Sequence, residues 1–449
     1  MRHPPRGARG TARSAVSRRT LLGISLLPAL AAACGASEDL DALPKSGESS
    51  GQIVYTTWGT PQQREVENWT LLAFEKNYPD LKVNVIASAT AAEHVAKQIS
   101  MLSSGAPPDV VRLPTWSAFT FYNEDVVKRL DPYFKRDAFK TDHLAQPFDT
   151  GTFQRRWYGL PRGHAGTWVV FYNRRLLEGA GLKPPATGWT WDDFLKAAQQ
   201  LTRASGSTGA SGSGAAQWGT ALEPIADFYY PWLWGHGAED LERSFERSLL
   251  DQPAAREALQ WLADLRHKHK VAPPAGELPE GPAAFASGRV GLWFGPADAE
   301  LDLAKQAGLD FGIAPQPKGK QTQQAAFKPD AVCLASGAQY PDDGWELMQF
   351  LVDVDTQRLE FDNGLWLPQA KAIVGQETYQ KPAVPPYDRR PGIPGALIKA
   401  RTPVMAPRGD EIRAVSLREL APLWRGTKNV EAATEAAAKS VNAILTGQA

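Results

Sequence analysis

Apolar and polar positions along this chain switch between a period of two and a period near 3.6. Ile53-Val54-Tyr55-Thr56 is a short β-rich run, ended by Thr57-Trp58-Gly59. Thr60 then offers an N-cap and Pro61 a first helical position. Val66, Trp69 and Ala73, with Leu72 and Phe74 beside them, form the apolar face of the helix that follows. Residues 81–86 read as a second strand, residues 94–103 as a second helix, and residues 109–113 as a third strand after the break at Gly105-Ala106-Pro107-Pro108. The order β-α-β-α-β predicts an α/β fold with a parallel sheet.

The pattern returns downstream. Residues 168–172 predict a strand, and Thr190-Trp191-Asp192-Asp193 a capped helix start with Phe194, Leu195 and Leu201 at helical spacing. Residues 254–270 predict a helix that groups Leu259, Leu262 and Leu265. Strands are expected at 290–294, 311–315 and 331–334, and helices at 343–353, 355–361 and 431–445. Residues 204–216 are a Ser/Gly/Ala-rich exposed loop, and the proline-rich 373–398 a surface excursion. No repeat of 20–50 residues is visible.

The N-terminus reads as an address rather than as fold. Arg2, Arg6, Arg9, Arg13, Arg18 and Arg19 precede an apolar stretch of 13 residues, Leu21 to Ala33. That is short of the ~20 residues a spanning helix needs. Ser17-Arg18-Arg19-Thr20-Leu21-Leu22 resembles a twin-arginine export signal, and Leu30-Ala31-Ala32-Ala33-Cys34 a bacterial lipobox whose thiol takes the lipid. Residues 1–33 are therefore expected to be a signal peptide and Cys34 a lipid anchor. Residues 34–51, Gly/Ser-rich and acidic, are expected to be a flexible tether.

Composition narrows the class. A chain of 449 residues is too long for one ordinary core and suggests two or three domains. Lys plus Arg and Asp plus Glu are both 49, which gives no electrostatic reason to expect nucleic acid. The second cysteine, Cys333, sits in the apolar run Ala331-Val332-Cys333-Leu334-Ala335 and reads as a buried small hydrophobe. No Cys/His group has metal-ligand spacing, and neither metal nor cofactor is expected. His267 and His269, flanked by lysines, read as a solvated helix end. There is no G-x-S-x-G, H-E-x-x-H or P-loop.

Ordered segments along the chain carry a resemblance. They include Phe74-Glu75-Lys76-Asn77-Tyr78-Pro79-Asp80, residues 101–111, Leu130-Asp131-Pro132-Tyr133 and Trp157-Tyr158-Gly159-Leu160-Pro161. Further on come Tyr172-Asn173-Arg174-Arg175-Leu176-Leu177, Pro184-Pro185 through Trp191, Ala284-Phe285-Ala286-Ser287-Gly288-Arg289-Val290, Ile313-Ala314-Pro315 and Trp366-Leu367-Pro368. Together they resemble the extracellular solute-binding proteins of sugar ABC importers, the maltose-binding-protein group. The resemblance implies two α/β lobes joined by hinge crossovers, with the ligand in the cleft between them. Crossings are expected near Pro161, near Gly295-Pro296 and at 327–330. The first lobe would comprise 52–161 plus 296–330, and the second 162–295 plus 331–449. It implies a monomer outside the cytoplasm, either lipid-anchored to the outer face of the membrane or periplasmic. That monomer captures a carbohydrate and docks on two permease subunits without being an enzyme.

Sugars offer apolar faces to aromatic rings and hydroxyl rims to polar side chains. In open α/β sheets ligands sit beyond the carboxyl ends of strands. The candidate ligand residues are therefore Thr57, Trp58, Gly59, Gln63, Arg112, Trp116, Arg162, His164, Trp234, Trp293, Asp330 and Trp366. Two rivals stay open. Arg112, Arg162 and His164 would suit a phosphorylated polyol such as a glycerol-phosphate compound. A secreted glycan-active enzyme would need a carboxylate pair.

Overall fold

The computed structural model describes residues 49–144, 149–163, 168–206, 215–222, 226–326, 329–363, 365, 368–374 and 401–448. Residues 1–33, Cys34, most of the tether, His164 and Trp366 lie outside the described residues. Eleven strands are present: β1 (Gln52–Trp58), β2 (Lys82–Ser88), β3 (Val110–Leu113), β4 (Thr152–Phe153), β5 (Arg156–Trp157), β6 (Gly159–Arg162), β7 (Trp168–Asn173), β8 (Trp218–Ala221), β9 (Val290–Pro296), β10 (Phe311–Ala314) and β11 (Asp330–Leu334).

The first five predicted elements form as read. The helix α1 (Pro61–Asn77) starts at Thr60, whose hydroxyl accepts from the Gln63 N–H while the Gln63 side chain accepts from the Thr60 N–H. The helix α2 (Ala91–Ser103) uses the same reciprocal cap through Thr90 and Glu93, and the helix Trp191–Leu201 uses it through Thr190 and Asp193. Such a cap fixes where each helix begins and is worth roughly 1 kcal/mol.

Two sheets define two lobes. The first has order β2-β1-β3-β11-β6, with β1 parallel to β2 and β3, and β11 inserted antiparallel between β3 and β6. Its core joins Ile53, Tyr55, Leu71, Phe74, Leu160 and Val332 to Trp345, Met348 and Leu351 of the helix Pro341–Val352. The second has order β10-β7-β9-β8, with β7 antiparallel to both neighbours. One face packs Trp168, Phe194, Trp232, Leu259 and Phe294, and extends to Leu420, Trp424 and Ala437 of the two C-terminal helices Gly409–Trp424 and Val430–Leu445. The other face packs Val169, Phe171, Phe285, Trp293 and Phe311.

The pairing redraws the lobe limits expected from sequence. Gly295-Pro296 is no crossing: Pro296 pairs with Trp168 inside the second sheet, and Ala297 and Leu303 continue in that lobe's core. Strand β10 pairs with β7, so the segment up to Ala314 stays in the second lobe. Strand β11 and the helix Pro341–Val352 belong to the first. The crossings fall between β6 and β7, between β10 and β11, and between Asp362 and Arg401. Glycine and proline punctuate a strand end and a hinge alike, and pairing partners alone separate the two.

Candidate functional site

The carboxyl ends of β1 and β3 meet the neighbouring ends of β6 and β11 at one rim of the first lobe. Charged side chains converge there, almost fully buried. Arg162 donates from Nη1 to the Tyr55 hydroxyl at 2.6 Å and to Glu67 Oε1 at 2.7 Å, and from Nη2 to Glu360 Oε1 at 2.7 Å. The Tyr55 and Thr57 hydroxyls donate to the Glu67 carboxylate at 2.9 and 3.1 Å. Arg112 donates to Asp330 from Nε at 3.0 Å and to the Trp58 carbonyl from Nη1 at 3.1 Å. Its guanidinium lies 3.9 Å from the Trp58 ring centre.

Burial sets the protonation of this group. It works against ionisation of Glu67, but Arg162 and then Arg112 outweigh it and hold the carboxyl below its usual range. For Glu360 burial wins over Arg162 and raises the carboxyl. Burial also pushes His94 down to about 4, so the ring is neutral and its Nε2–H donates to the Arg112 carbonyl at 2.7 Å. This network binds α1, β1, β6 and the helix Val354–Asp362 to one another beside the crossovers. Its charges are turned on each other, and most of their hydrogen-bonding capacity is spent inside the lobe.

A cavity of about 40 Å³ lies between the lobes. The first lobe contributes Thr115 and Trp116 from the start of α3 (Thr115–Asn123). The second contributes Tyr230 from the helix Ala226–Gly235, Asp240 and Leu241 beyond it, residues 403–406, and Ile412 and Arg413 from the helix Gly409–Trp424. The lobes touch here: Thr120 donates to Asp410 at 3.5 Å, and the Trp116 carbonyl lies so close to Gly409 that a Cβ there would sit 2.7 Å from it. Arg413 lies 5.7 Å from the Trp116 ring centre. The Tyr230 hydroxyl donates to Asp240, whose carboxyl is pushed up to about 7 by burial. Larger grooves of about 670 and 680 Å³ each lie within a single lobe.

The structure sorts the expected ligand residues sharply. Trp116 lines the interlobe cavity. Thr57, Arg112, Arg162 and Asp330 belong to the buried network and are held by protein partners. Gly59 is buried, with its N–H on the Ser88 carbonyl. Trp58 is half-buried, with Arg112 across one face. Gln63 spends its side-chain oxygen on the α1 cap. Trp234 is 2 % exposed; its Nε1–H donates to Glu239 and Arg401 covers its ring at 4.5 Å. Trp293 is fully buried, stacked on Phe171 and Phe285. Both faces of the second sheet are covered, so a tryptophan in β9 is buried whichever way it points. Tyr230, Asp240 and Arg413 are cavity residues that sequence reasoning missed. The aromatic run 228–234 flagged the right helix. Nothing local distinguishes Arg413 from any other basic residue on an amphipathic helix.

Two α/β lobes joined by three crossovers, with a cavity between them, are the architecture of a binding protein that closes on its ligand. The chain belongs to the bacterial extracellular solute-binding protein family, whose model matches residues 58–358. It is 30% identical over 195 residues to the arabinooligosaccharide-binding protein of Bacillus subtilis, covering 41% of this chain and 42% of that protein. Among solved structures it is similar to an ABC substrate-binding protein from Listeria monocytogenes in complex with cycloalternan (22% identity, TM-score 0.76, 88% of this chain, 99% of that one). It is also similar to UgpB from Mycobacterium tuberculosis in complex with glycerophosphocholine (21% identity, TM-score 0.73, 89% of this chain, 100% of that one). The expected two-lobe fold and family membership are thereby established. The family places the protein outside the cytoplasm.

Proposed function

We propose that the chain binds a carbohydrate between its lobes and delivers it to an ABC importer, held at the membrane by a lipid on Cys34. The interlobe cavity carries this reading: aromatic rings reach it from both lobes, Trp116 and Tyr230, with Asp240 and Arg413 between them. Rings supply stacking faces and the polar pair supplies hydroxyl partners, which is the division a sugar requires. The arabinooligosaccharide and cycloalternan complexes of its relatives support the same ligand class. Arg413, together with the likeness to UgpB, favours a second reading, a glycerophosphate-type ligand.

Titration calorimetry against neutral mono- and oligosaccharides and against phosphorylated polyols separates the two. A neutral glycan that binds wild type and is lost in Trp116→Ala, at unchanged melting temperature, is the expected result. Binding confined to phosphorylated compounds overturns the carbohydrate reading in favour of the second. Turnover of any glycan overturns the assignment as a binder alone.

A further inference from the structure

The interlobe cavity contains two polar atoms that nothing among the described residues satisfies. Asp240 is 7 % exposed, and its Oδ1 has no hydrogen-bond partner although Tyr230 serves the same carboxyl. Nε of Arg413, on the same cavity wall, is buried and likewise unpartnered. One is an acceptor and the other a donor. Elsewhere the protein takes care to pair its buried charges, as the Arg162 and Arg112 network shows. A mismatch shared by two complementary groups facing one cavity therefore points to a missing partner that both donates and accepts.

We propose that Asp240 and Arg413 are the paired anchors for a hydroxyl-bearing edge of an uncharged sugar, and that the need to satisfy both couples lobe closure to that ligand. This rests on the carbohydrate reading above. A hydroxyl donates to the Asp240 carboxylate while accepting from Arg413 Nε–H. A phosphate accepts at every oxygen and would leave the ionised carboxylate opposed, acceptor against acceptor. At about 40 Å³ the cavity has room for one hydroxyl-bearing edge or a few waters. The remainder of a sugar must therefore enter while the lobes are parted. Parting them lifts Thr115 and Trp116 off this wall and gives both groups water. Closing without ligand strands them again. Ligand thus stabilises the closed arrangement selectively, and that differential affinity is what a closure switch requires.

The test uses the full chain carrying Cys34→Ala, with maltose, D-tagatose and arabino-oligosaccharide as neutral probes and sn-glycerol 3-phosphate and glycerophosphocholine as phosphorylated ones. Asp240→Asn keeps the side chain's shape and the Tyr230 contact, and Arg413→Met keeps its length. Each is expected to weaken a bound neutral probe by about tenfold, with the ligand-free melting temperature unchanged. Asp240→Asn is also expected to lower the preference for neutral over phosphorylated probes. If a sugar binds wild type and either variant holds it within about threefold, the pairing is wrong while the carbohydrate reading stands. If only phosphorylated probes bind wild type, or none binds, the carbohydrate reading itself fails and the pairing with it.

Discussion

Replacing Arg162 by Met separates a structural role from a ligand-binding one. The guanidinium donates to Tyr55, Glu67 and Glu360 at 2.6–2.7 Å, and its side chain and both carboxylates are under 5 % exposed. Removing one partner of such a buried pair costs about 3–5 kcal/mol, because the charge left behind has no solvent to replace it. The lower end applies here. Glu360 is already raised by burial and relieves itself by taking a proton, and Glu67 keeps the field of Arg112. Unfolding entropy of ~2.1 cal/mol/K per residue gives about 0.8 kcal/mol/K for a body of roughly 400 residues. A loss of about 3 kcal/mol then lowers the melting temperature by about 4 °C, or by about 7 °C if the first lobe melts alone. Calorimetry at pH 7 measures the shift, and titration calorimetry on the folded variant should find ligand affinity within about threefold of wild type. An unchanged melting temperature with ligand binding lost would refute the reasoning and return Arg162 to the ligand.

Three further outcomes are expected. Trp293→Ala empties a fully buried site against Phe171 and Phe285 and should cost about 3–5 kcal/mol, leaving the affinity of the folded fraction unchanged; calorimetry with titration of the survivors checks both. Burial pushes the Cys333 thiol up to about 12, so in a Cys34→Ala background a thiol reagent at pH 8 should label it only after denaturant is added; stoichiometric labelling of the folded protein within minutes would contradict its burial. The folded pKa of His94, about 4, lies below the unfolded value of 6.5, so its contribution is complete above pH 6.5 and lost as pH falls towards 4. The shift corresponds to about 3 kcal/mol. Asp240, raised to about 7, acts in the opposite sense by holding a proton that the unfolded chain releases. Comparing wild type with His94→Gln cancels Asp240, and the variant should lose less stability between pH 6.5 and 4.5.

The fold was legible wherever one residue type has one physical use. Thr60-Pro61 and Thr190-Trp191-Asp192-Asp193 announced their helices because an N-cap hydroxyl has few other roles at such a junction. The alternation of Ile53 to Trp58 with α1 announced a parallel layer. The lobe limits were less legible, because β11 enters the first sheet from far along the chain, between β3 and β6. The site was least legible. Tryptophan after a strand suits a sugar and suits a core equally well. Trp116 reached the cavity, whereas Trp234 and Trp293 were absorbed into cores whose second faces are helix-covered. Arg112 and Arg162 looked like ligand charges because their counter-ions lie 218 and 198 residues away.

That separation bears on how the two lobes divide the work. The first lobe's rim is rigid and electrostatically closed: Arg112, Arg162, Glu67, Glu360 and Asp330 answer one another. A ligand offering a new charge there would have to break a buried pair, at a cost few small molecules recover. The second lobe leaves Asp240 Oδ1 and Arg413 Nε open to an incoming group. Selectivity for the polar edge of the ligand therefore falls to the second lobe. The first supplies a firm aromatic wall at Trp116, and the crossovers beside its paired charges let that wall move as a unit.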